Sequence, residues 1–152
     1  MENGWRDDNS AKDGQATLVP PRLDERYLAI LAAFRDRDLA ALQRLVSPSV
    51  EVTIPGSGRF AGTYRGMGEV LALVAGLQRS VVPGSGRLLD VAIDDDVVNA
   101  RVVVTLRDVR GRTLDAALVH RFEFGADGRA ARATFVPQDQ PAFDCFLPSL
   151  EV

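Results

Sequence analysis

The chain has 152 residues, 46% of them hydrophobic, with 18 basic and 21 acidic residues and a formal net charge of −3. This length suits one domain with a buried core, and the balanced charge without any Lys/Arg run argues against nucleic-acid binding. No apolar run approaches the length of a membrane span. The one cysteine, Cys145, excludes an internal disulfide and a zinc site of Cys/His spacing. These features predict a cytoplasmic protein in a reducing compartment, without nucleic-acid or membrane partners.

The first 21 residues are expected to form a disordered polar tail. They lack the apolar segment of a signal peptide, and Pro20-Pro21 cannot continue a helix. An alternative is a lid or a dimer arm anchored by Trp5 and Leu18-Val19. We therefore predict one domain over residues 22–147, followed by a short C-terminal end at 148–152.

Apolar residues at helical spacing predict three helices, at 22–36, 39–46 and 67–78. Ser47-Pro48-Ser49 is expected to be a stop signal after the second helix. Alternating apolar residues predict strands at 50–54, 60–64, 88–93, 97–107, 113–124 and 130–136. The run Asp94-Asp95-Asp96 fits a solvated turn better than a metal site, because adjacent aspartates in a turn point in different directions. Residues 139–146 form a tail with a possible helical turn.

Three helices therefore precede most of the strands, which follow one another as a meander. This order predicts an α+β fold in which the helices gather on one face of the sheet. No strand–helix–strand alternation is present, so a parallel sheet is not expected.

The predicted strand 113–124 carries the most informative side chain. On one of its faces every residue is apolar except His120, the only histidine of the chain. An imidazole on a dry face can donate and accept hydrogen bonds, and its ordinary pKa lies near neutrality. It can hold a carbonyl or move a proton, although a core histidine satisfied by its neighbours is the simpler alternative.

Several stretches in this order carry a family resemblance. They are R-Y-L-A-I-L-A-A-F-R-D-R-D-L-A-A-L (26–42), A-G-T-Y-R-G (61–66), H-R-F-E-F-G-A-D-G-R (120–129) and D-Q-P-A-F-D-C-F (139–146). Together they resemble the SnoaL-like, ketosteroid-isomerase-related branch of the nuclear transport factor 2-like superfamily. The resemblance implies a strongly bent antiparallel sheet wrapped around the first helix and enclosing an apolar pocket. It also implies a homodimer and chemistry without a cofactor or metal.

The resemblance further suggests roles for single residues. The catalytic tyrosine of the steroid isomerases falls on Tyr27 as oxyanion donor, and an acid position of the late hairpin falls on His120. The general acid/base aspartate of the SnoaL-like cyclases has its nearest counterpart in Asp139. The isomerases' proton-abstracting aspartate falls near Ile54, where this chain has no carboxylate. The residues expected to line the substrate pocket are Phe34, Ile54, Phe60, Leu118, Phe122 and Phe135.

These residues favour an isomerase, cyclase or dehydratase of secondary metabolism that acts on an apolar ketone or a polyketide-like substrate by acid/base chemistry. One alternative is a non-catalytic module that binds small apolar ligands or forms homodimers. Another is an epoxide hydrolase, which requires an Asp–Arg–Asp set that the inward positions do not supply. A cavity filled by Phe60, Phe122 and Phe135 would favour the module, whereas a dry cavity that holds both His120 and Tyr27 within hydrogen-bond reach would favour the enzyme.

Overall fold

The computed structural model describes residues 22–147, so the predicted tail at 1–21 and the end at 148–152 lie outside the described residues. The helices are α1 (Leu23–Arg35), α2 (Leu39–Leu45), α3 (Gly66–Ser80) and α4 (Gln140–Phe146). The strands are β1 (Val46–Ile54), β2 (Gly62–Arg65), β3 (Arg87–Asp94), β4 (Val97–Arg107), β5 (Thr113–Phe124) and β6 (Ala130–Pro137). The predicted α+β class is confirmed, and α4 adds a short fourth helix where a helical turn was expected.

All six strands belong to one sheet, in the order β2-β1-β6-β5-β4-β3. Its pairs are antiparallel except for β1 and β6, which run parallel. The expectation of a purely antiparallel sheet was wrong at this one pair. The meander from β3 to β6 brings the last strand back beside the first, and the strand directions at that meeting depend on the whole intervening chain. Local alternation in the sequence carries no such information.

The strand β1 also begins earlier than expected. Ser47-Pro48-Ser49 does not separate it from α2, because the strand starts at Val46, directly after the helix. The register with β6 shifts between Val46 and Glu51, so this segment does not form a regular ladder. An irregular stretch of strand can hold a proline because no ladder hydrogen bond is required from its nitrogen.

Helix α1 presents one apolar side to the core, with Tyr27, Ile30 and Ala33 buried at intervals of three residues. Acidic residues in its first turn and Arg35 in its last turn complement the helix dipole. Asp38 then caps α2 by accepting a hydrogen bond from the amide of Ala41. These local signals explain why the helix boundaries were predicted to within one or two residues.

The inner face of the sheet forms the other side of the core. On β4, the alternating residues Val98, Ala100, Val102 and Leu106 are buried, whereas Arg101 and Arg107 are exposed. His120 lies between Ala100 of β4 and Phe135 of β6 in the strand register. The pairing therefore places the imidazole in the middle of the inner face.

The loop between β1 and β2 is attached to α4 by hydrogen bonds. Gln140 Nε2 donates to the carbonyl of Pro55 (3.2 Å), and the amide of Gly58 donates to Asp144 Oδ1 (3.2 Å). The amide of Arg59 donates to the carbonyl of Leu147 (2.7 Å). The short C-terminal helix thereby determines where the residues after this loop lie. Among residues 22–147, no helix is long and apolar enough to cross a membrane.

Candidate active site

A cavity of about 560 Å³ lies between the helices and the inner face of the sheet. Most of its lining consists of aliphatic and aromatic side chains from α1, α3 and the long strands. The predicted pocket residues that line it are Phe34, Ile54, Leu118, Phe122 and Phe135. The volume falls in the range of small-molecule sites.

Phe60 was expected in the same pocket but lies outside it. Its side chain is buried against α3, where a Cβ on Gly76 would be 3.0 Å from its ring. The hydrogen bonds between the 55–58 loop and α4 hold Phe60 at a separate cleft. Its hydrophobicity predicted burial correctly, but only the loop position determines which cavity it borders.

His120 lines the large cavity and forms a hydrogen bond between its Nδ1 and the hydroxyl of Tyr27, at 2.9 Å. The ring packs at 4.7 Å, centroid to centroid, from Phe135, and the ring of Tyr27 packs at 5.3 Å from Phe122. Tyr27 itself has no exposed surface and does not line the cavity. Its hydroxyl therefore contacts the imidazole without contributing to the wall of the cavity.

The hydrogen bonding favours one tautomer of His120. Within residues 22–147, the hydroxyl of Tyr27 has no partner other than Nδ1. A buried O–H that is not donated is unfavourable, so Tyr27 donates to Nδ1 and the ring proton resides on Nε2. Nε2 has no hydrogen-bond partner in the described chain, and it is not completely buried. The arrangement thus presents an N–H donor to an apolar cavity.

Burial controls the ionisation of both groups. Burial of the imidazole lowers the pKa of His120 from 6.5 to about 4. Burial also raises the pKa of Tyr27 above its ordinary value of 10. At neutral pH both groups are therefore uncharged, and the hydrogen bond joins a neutral phenol to a neutral imidazole.

The charged residues that line the cavity are all arginines. They are Arg35, Arg37 and Arg87, and no described lining residue is an aspartate or glutamate. Arg35 pairs with Asp36, and Arg37 donates to the carbonyl of Gln78 at 3.4 Å. These arginines and Gln78 were not predicted as site residues, because isolated polar residues near helix and strand ends have no distinctive sequence signal.

Comparison with known proteins decides the family. A model of the SnoaL-like domain matches residues 25–133. The chain belongs to the SnoaL-like domain family. A search among curated proteins finds no significant match.

Solved structures agree with this assignment. Bal32a, from a soil-derived mobile gene cassette, is 26% identical, with a TM-score of 0.74 over 82% of this chain and 95% of that one. TerC, co-crystallised with polyporic acid, is also 26% identical, with a TM-score of 0.69 over 84% of this chain and 98% of that one. A protein from Jannaschia sp. CCS1 that is named as a SnoaL-like polyketide cyclase is 14% identical and shares the fold, with a TM-score of 0.68 over 84% of this chain and 93% of that one. The predicted nuclear transport factor 2-like fold is confirmed.

In this SnoaL-like domain, Asp139 lies apart from the other two predicted catalytic residues. It is exposed, does not line the cavity, and accepts a hydrogen bond from the amide of Ala142 at 3.1 Å. Its structural position is the N-cap of α4, followed by a proline in the first turn. An aspartate shortly before a proline is a common start of a helix, so the sequence contained a signal for this capping role.

Cys145, the one cysteine of the chain, is exposed on α4. Its neighbours in sequence, Phe143 and Phe146, are buried and half-buried. On a helix of only two turns, the residue between two inward side chains faces outward.

Proposed function

We propose that this SnoaL-like protein is an enzyme that polarises the carbonyl group of an apolar ketone or polyketide-like substrate. The proposal rests on one observation, a single imidazole that presents an N–H donor to an apolar cavity while a buried tyrosine holds its other nitrogen. In this proposal, His120 contacts the substrate and Tyr27 is a positioning residue. The reaction is an isomerisation, cyclisation or dehydration that uses no cofactor.

A neutral imidazole is suited to this role. A carbonyl oxygen that accepts a hydrogen bond from Nε2 carries more negative charge in the enolate than in the ketone, so the bond strengthens as the enolate forms. A neutral histidine that acts as an electrophile is a known solution in enzymes. The apolar surroundings strengthen the interaction because little water competes for the oxygen.

The proton that leaves the substrate needs an acceptor. Because no carboxylate from the described residues lines the cavity, we propose that water or a basic group of the substrate takes this proton. That route favours substrates with acidic C–H bonds, such as 1,3-dicarbonyl compounds, whose enolates form near neutral pH. Polyketide-like chains contain this group at regular intervals.

The second candidate is a binding module of the same fold. The low pKa of His120 and the lack of a lining carboxylate favour it, since neither feature provides a strong acid or base. The open cavity favours a bound small molecule in both cases. The epoxide hydrolase alternative requires two carboxylates in the cavity, and the described lining residues offer none.

The first test combines binding and turnover. We expect the ¹⁵N signals of His120 to shift when apolar 1,3-diketones are added, and the absorbance of the enol to change with time. The variant His120→Phe should lose turnover by at least about 100-fold, the effect of removing one oxyanion donor. The control Thr113→Ala alters the exposed end of the same strand and should behave as wild type.

The outcomes distinguish the two candidates. Ligand-dependent shifts without turnover of any diketone would support the binding module. Equal turnover by wild type and His120→Phe would show that His120 is structural. A Tyr27→Phe variant should bind diketones but show a lower kcat, since it leaves the cavity unchanged and frees the imidazole to turn.

We also propose that the protein forms a homodimer through the outer face of its sheet. Outward residues at the centre of this face are apolar, with Val103 opposite Ala117 and Val119 opposite Val136 in the strand register. Val136 is 39% exposed. The nearby polar residues already have partners, because Arg101 pairs with Asp90.

A further inference from the structure

A second cleft, of about 300 Å³, lies on the other side of α3 from the large cavity. It is formed by the end of α3, the second half of the β1–β2 loop and the end of β4. Its lining residues are Arg59, Phe60, Gly76, Arg79, Ser80, Arg107, Asp108 and Val109. None of them lines the large cavity, so the two sites are separate.

Three arginines from three different elements meet at this cleft. The side chains of Arg59, Arg79 and Arg107 form no ion pair with any residue in 22–147, in contrast to several other arginines of the chain. The only acidic lining residue, Asp108, is already engaged by Arg112, whose Nε lies 2.7 Å from its carboxylate. Within residues 22–147, three positive charges therefore remain without an ion-pair partner, in a protein whose net charge is negative.

Arg59 provides a second, independent observation. Its Nε is the one fully buried side-chain nitrogen or oxygen in the described chain that has no hydrogen-bond partner. An unpartnered buried N–H is unfavourable, so native proteins usually provide such a group with a hydrogen-bond partner. The backbone around it is held firmly, since the amide of Arg59 donates to the carbonyl of Leu147 at 2.7 Å.

The end of α3 explains only part of this cluster. Arg79 lies in the last turn of the helix, where a positive charge complements the dipole. Arg59 and Arg107 belong to a loop and a strand, and the buried Nε of Arg59 reaches no carbonyl of the helix. A structural role at the helix end therefore does not account for their convergence.

We propose that this cleft binds a phosphate group, as free inorganic phosphate or as part of a phosphate monoester. A planar guanidinium group can donate two parallel hydrogen bonds to two oxygens of a tetrahedral oxyanion. Three such groups can surround one oxyanion. Ser80, which is only 5% exposed, adds a hydroxyl to the same wall. The volume is at the lower end of the range for small-molecule sites and accommodates a phosphate or a small phosphate monoester.

The experiment is a titration of the full chain with inorganic phosphate at constant ionic strength, followed by calorimetry and by the shift in Tm. Phenyl phosphate in a parallel titration distinguishes a monoester site from a site for free phosphate, and sodium chloride measures the effect of salt alone. We expect saturable binding of at least one phosphate compound. The variants Arg59→Gln and Arg107→Gln should weaken it about tenfold or more each, the effect of losing one charged hydrogen-bonding group.

The matched control is Arg44→Gln, which removes the same charge from an exposed position on α2, outside the cleft. It should bind phosphate as wild type does. The variant Arg59→Lys tests the contribution of the guanidinium group, because lysine keeps the positive charge but lacks Nε. We expect this variant to bind phosphate more weakly than wild type. Circular dichroism tests whether each variant folds. Arg59→Gln should be as stable as wild type, because it removes a buried N–H that has no hydrogen-bond partner in the described chain.

Three results would overturn the proposal. One is a Tm shift with chloride equal to that with phosphate. Another is an equal loss of phosphate binding in Arg44→Gln and Arg59→Gln, which would mean general attraction to the surface. The third is no saturable binding of either phosphate compound at millimolar concentration.

Discussion

At the scale of single residues, the pair of His120 and Tyr27 illustrates how burial changes the chemistry of a side chain. The two groups are 93 positions apart in sequence and 2.9 Å apart in the structure. The periodicity of α1 and of β5 predicted that the two side chains lie on apolar faces, and the structure brings them into contact. The position of Tyr27 differs from the expected one, because this residue contacts the imidazole but does not line the cavity.

The lowered pKa of His120 predicts a specific dependence of stability on pH. Between pH 6.5 and about 4 the unfolded chain binds a proton at this histidine, whereas the native state does not. The free energy of unfolding should therefore fall as pH decreases through this window, by about 2 to 3 kcal/mol between pH 7 and 4.5.

Urea denaturation of wild type and His120→Phe at both pH values measures this effect. The variant lacks the imidazole, so its loss of stability over the same interval should be smaller by that amount. Carboxylates such as Asp90 and Asp108, whose pKa values are lowered by arginine partners or hydrogen bonds, contribute equally to both proteins. Identical losses in the two proteins would mean that His120 keeps an ordinary pKa in the native state.

At the scale of elements, the contact between the β1–β2 loop and α4 determines the position of several residues. A glycine-rich loop by itself is compatible with many conformations. Here Gln140, Asp144 and the carbonyl of Leu147 select one of them by hydrogen bonds to the loop backbone. The position of Phe60, the orientation of Arg59 and the separation of the two cavities all depend on this contact.

Two glycine substitutions test this contact. A Cβ on Gly58 would lie 2.7 Å from the backbone carbonyl of Leu147, which cannot move without displacing the end of α4. Gly58→Ala should therefore lower the free energy of unfolding by about 2 kcal/mol. Gly68→Ala is the control, since a Cβ at that position in α3 meets no atom within 4 Å. It should be neutral or stabilising by about 0.5–1 kcal/mol, because alanine favours a helix.

Thermal or urea unfolding of the two variants measures the difference. If Gly58→Ala is as stable as Gly68→Ala, the loop does not require the close approach to α4. The assignment of Phe60 to a separate cleft would then lose its structural basis.

At the scale of the whole molecule, the sheet has an inner face that forms the cavity and an outer face without a partner among the described residues. The outer face combines paired polar residues with the apolar centre around Val119. For the proposed homodimer, we expect light scattering at micromolar concentration to give twice the mass of one chain, 16.5 kDa.

A charge at the centre of the contact tests which surface forms the dimer. Val119→Glu should produce a monomer with an unchanged circular dichroism spectrum, because burial of a charged carboxylate at an apolar interface is unfavourable. Ile93→Glu, at a 48% exposed residue of β3, is the control and should remain dimeric. A wild-type protein that is monomeric under these conditions would contradict the proposal, and a dimer that survives Val119→Glu would place the contact elsewhere.

The sequence by itself determined the elements, their wet and dry faces, the α+β class and the resemblance to the SnoaL-like family. Helical and strand periodicities, caps and turns act over a few residues, so they can be interpreted without long-range information. For the same reason, His120 and five of the expected pocket residues were placed correctly on the inner side.

Only the tertiary structure decided the parallel pairing of β1 and β6, the contact of Tyr27 with His120, the capping role of Asp139 and the exclusion of Phe60 from the cavity. It also brought Arg59, Arg79 and Arg107 together from three separate elements. Each of these features depends on the relative positions of segments that are distant in sequence. These positions are determined by the packing of the complete core and by the hydrogen bonds that fix the loops, which a local pattern of residues does not specify.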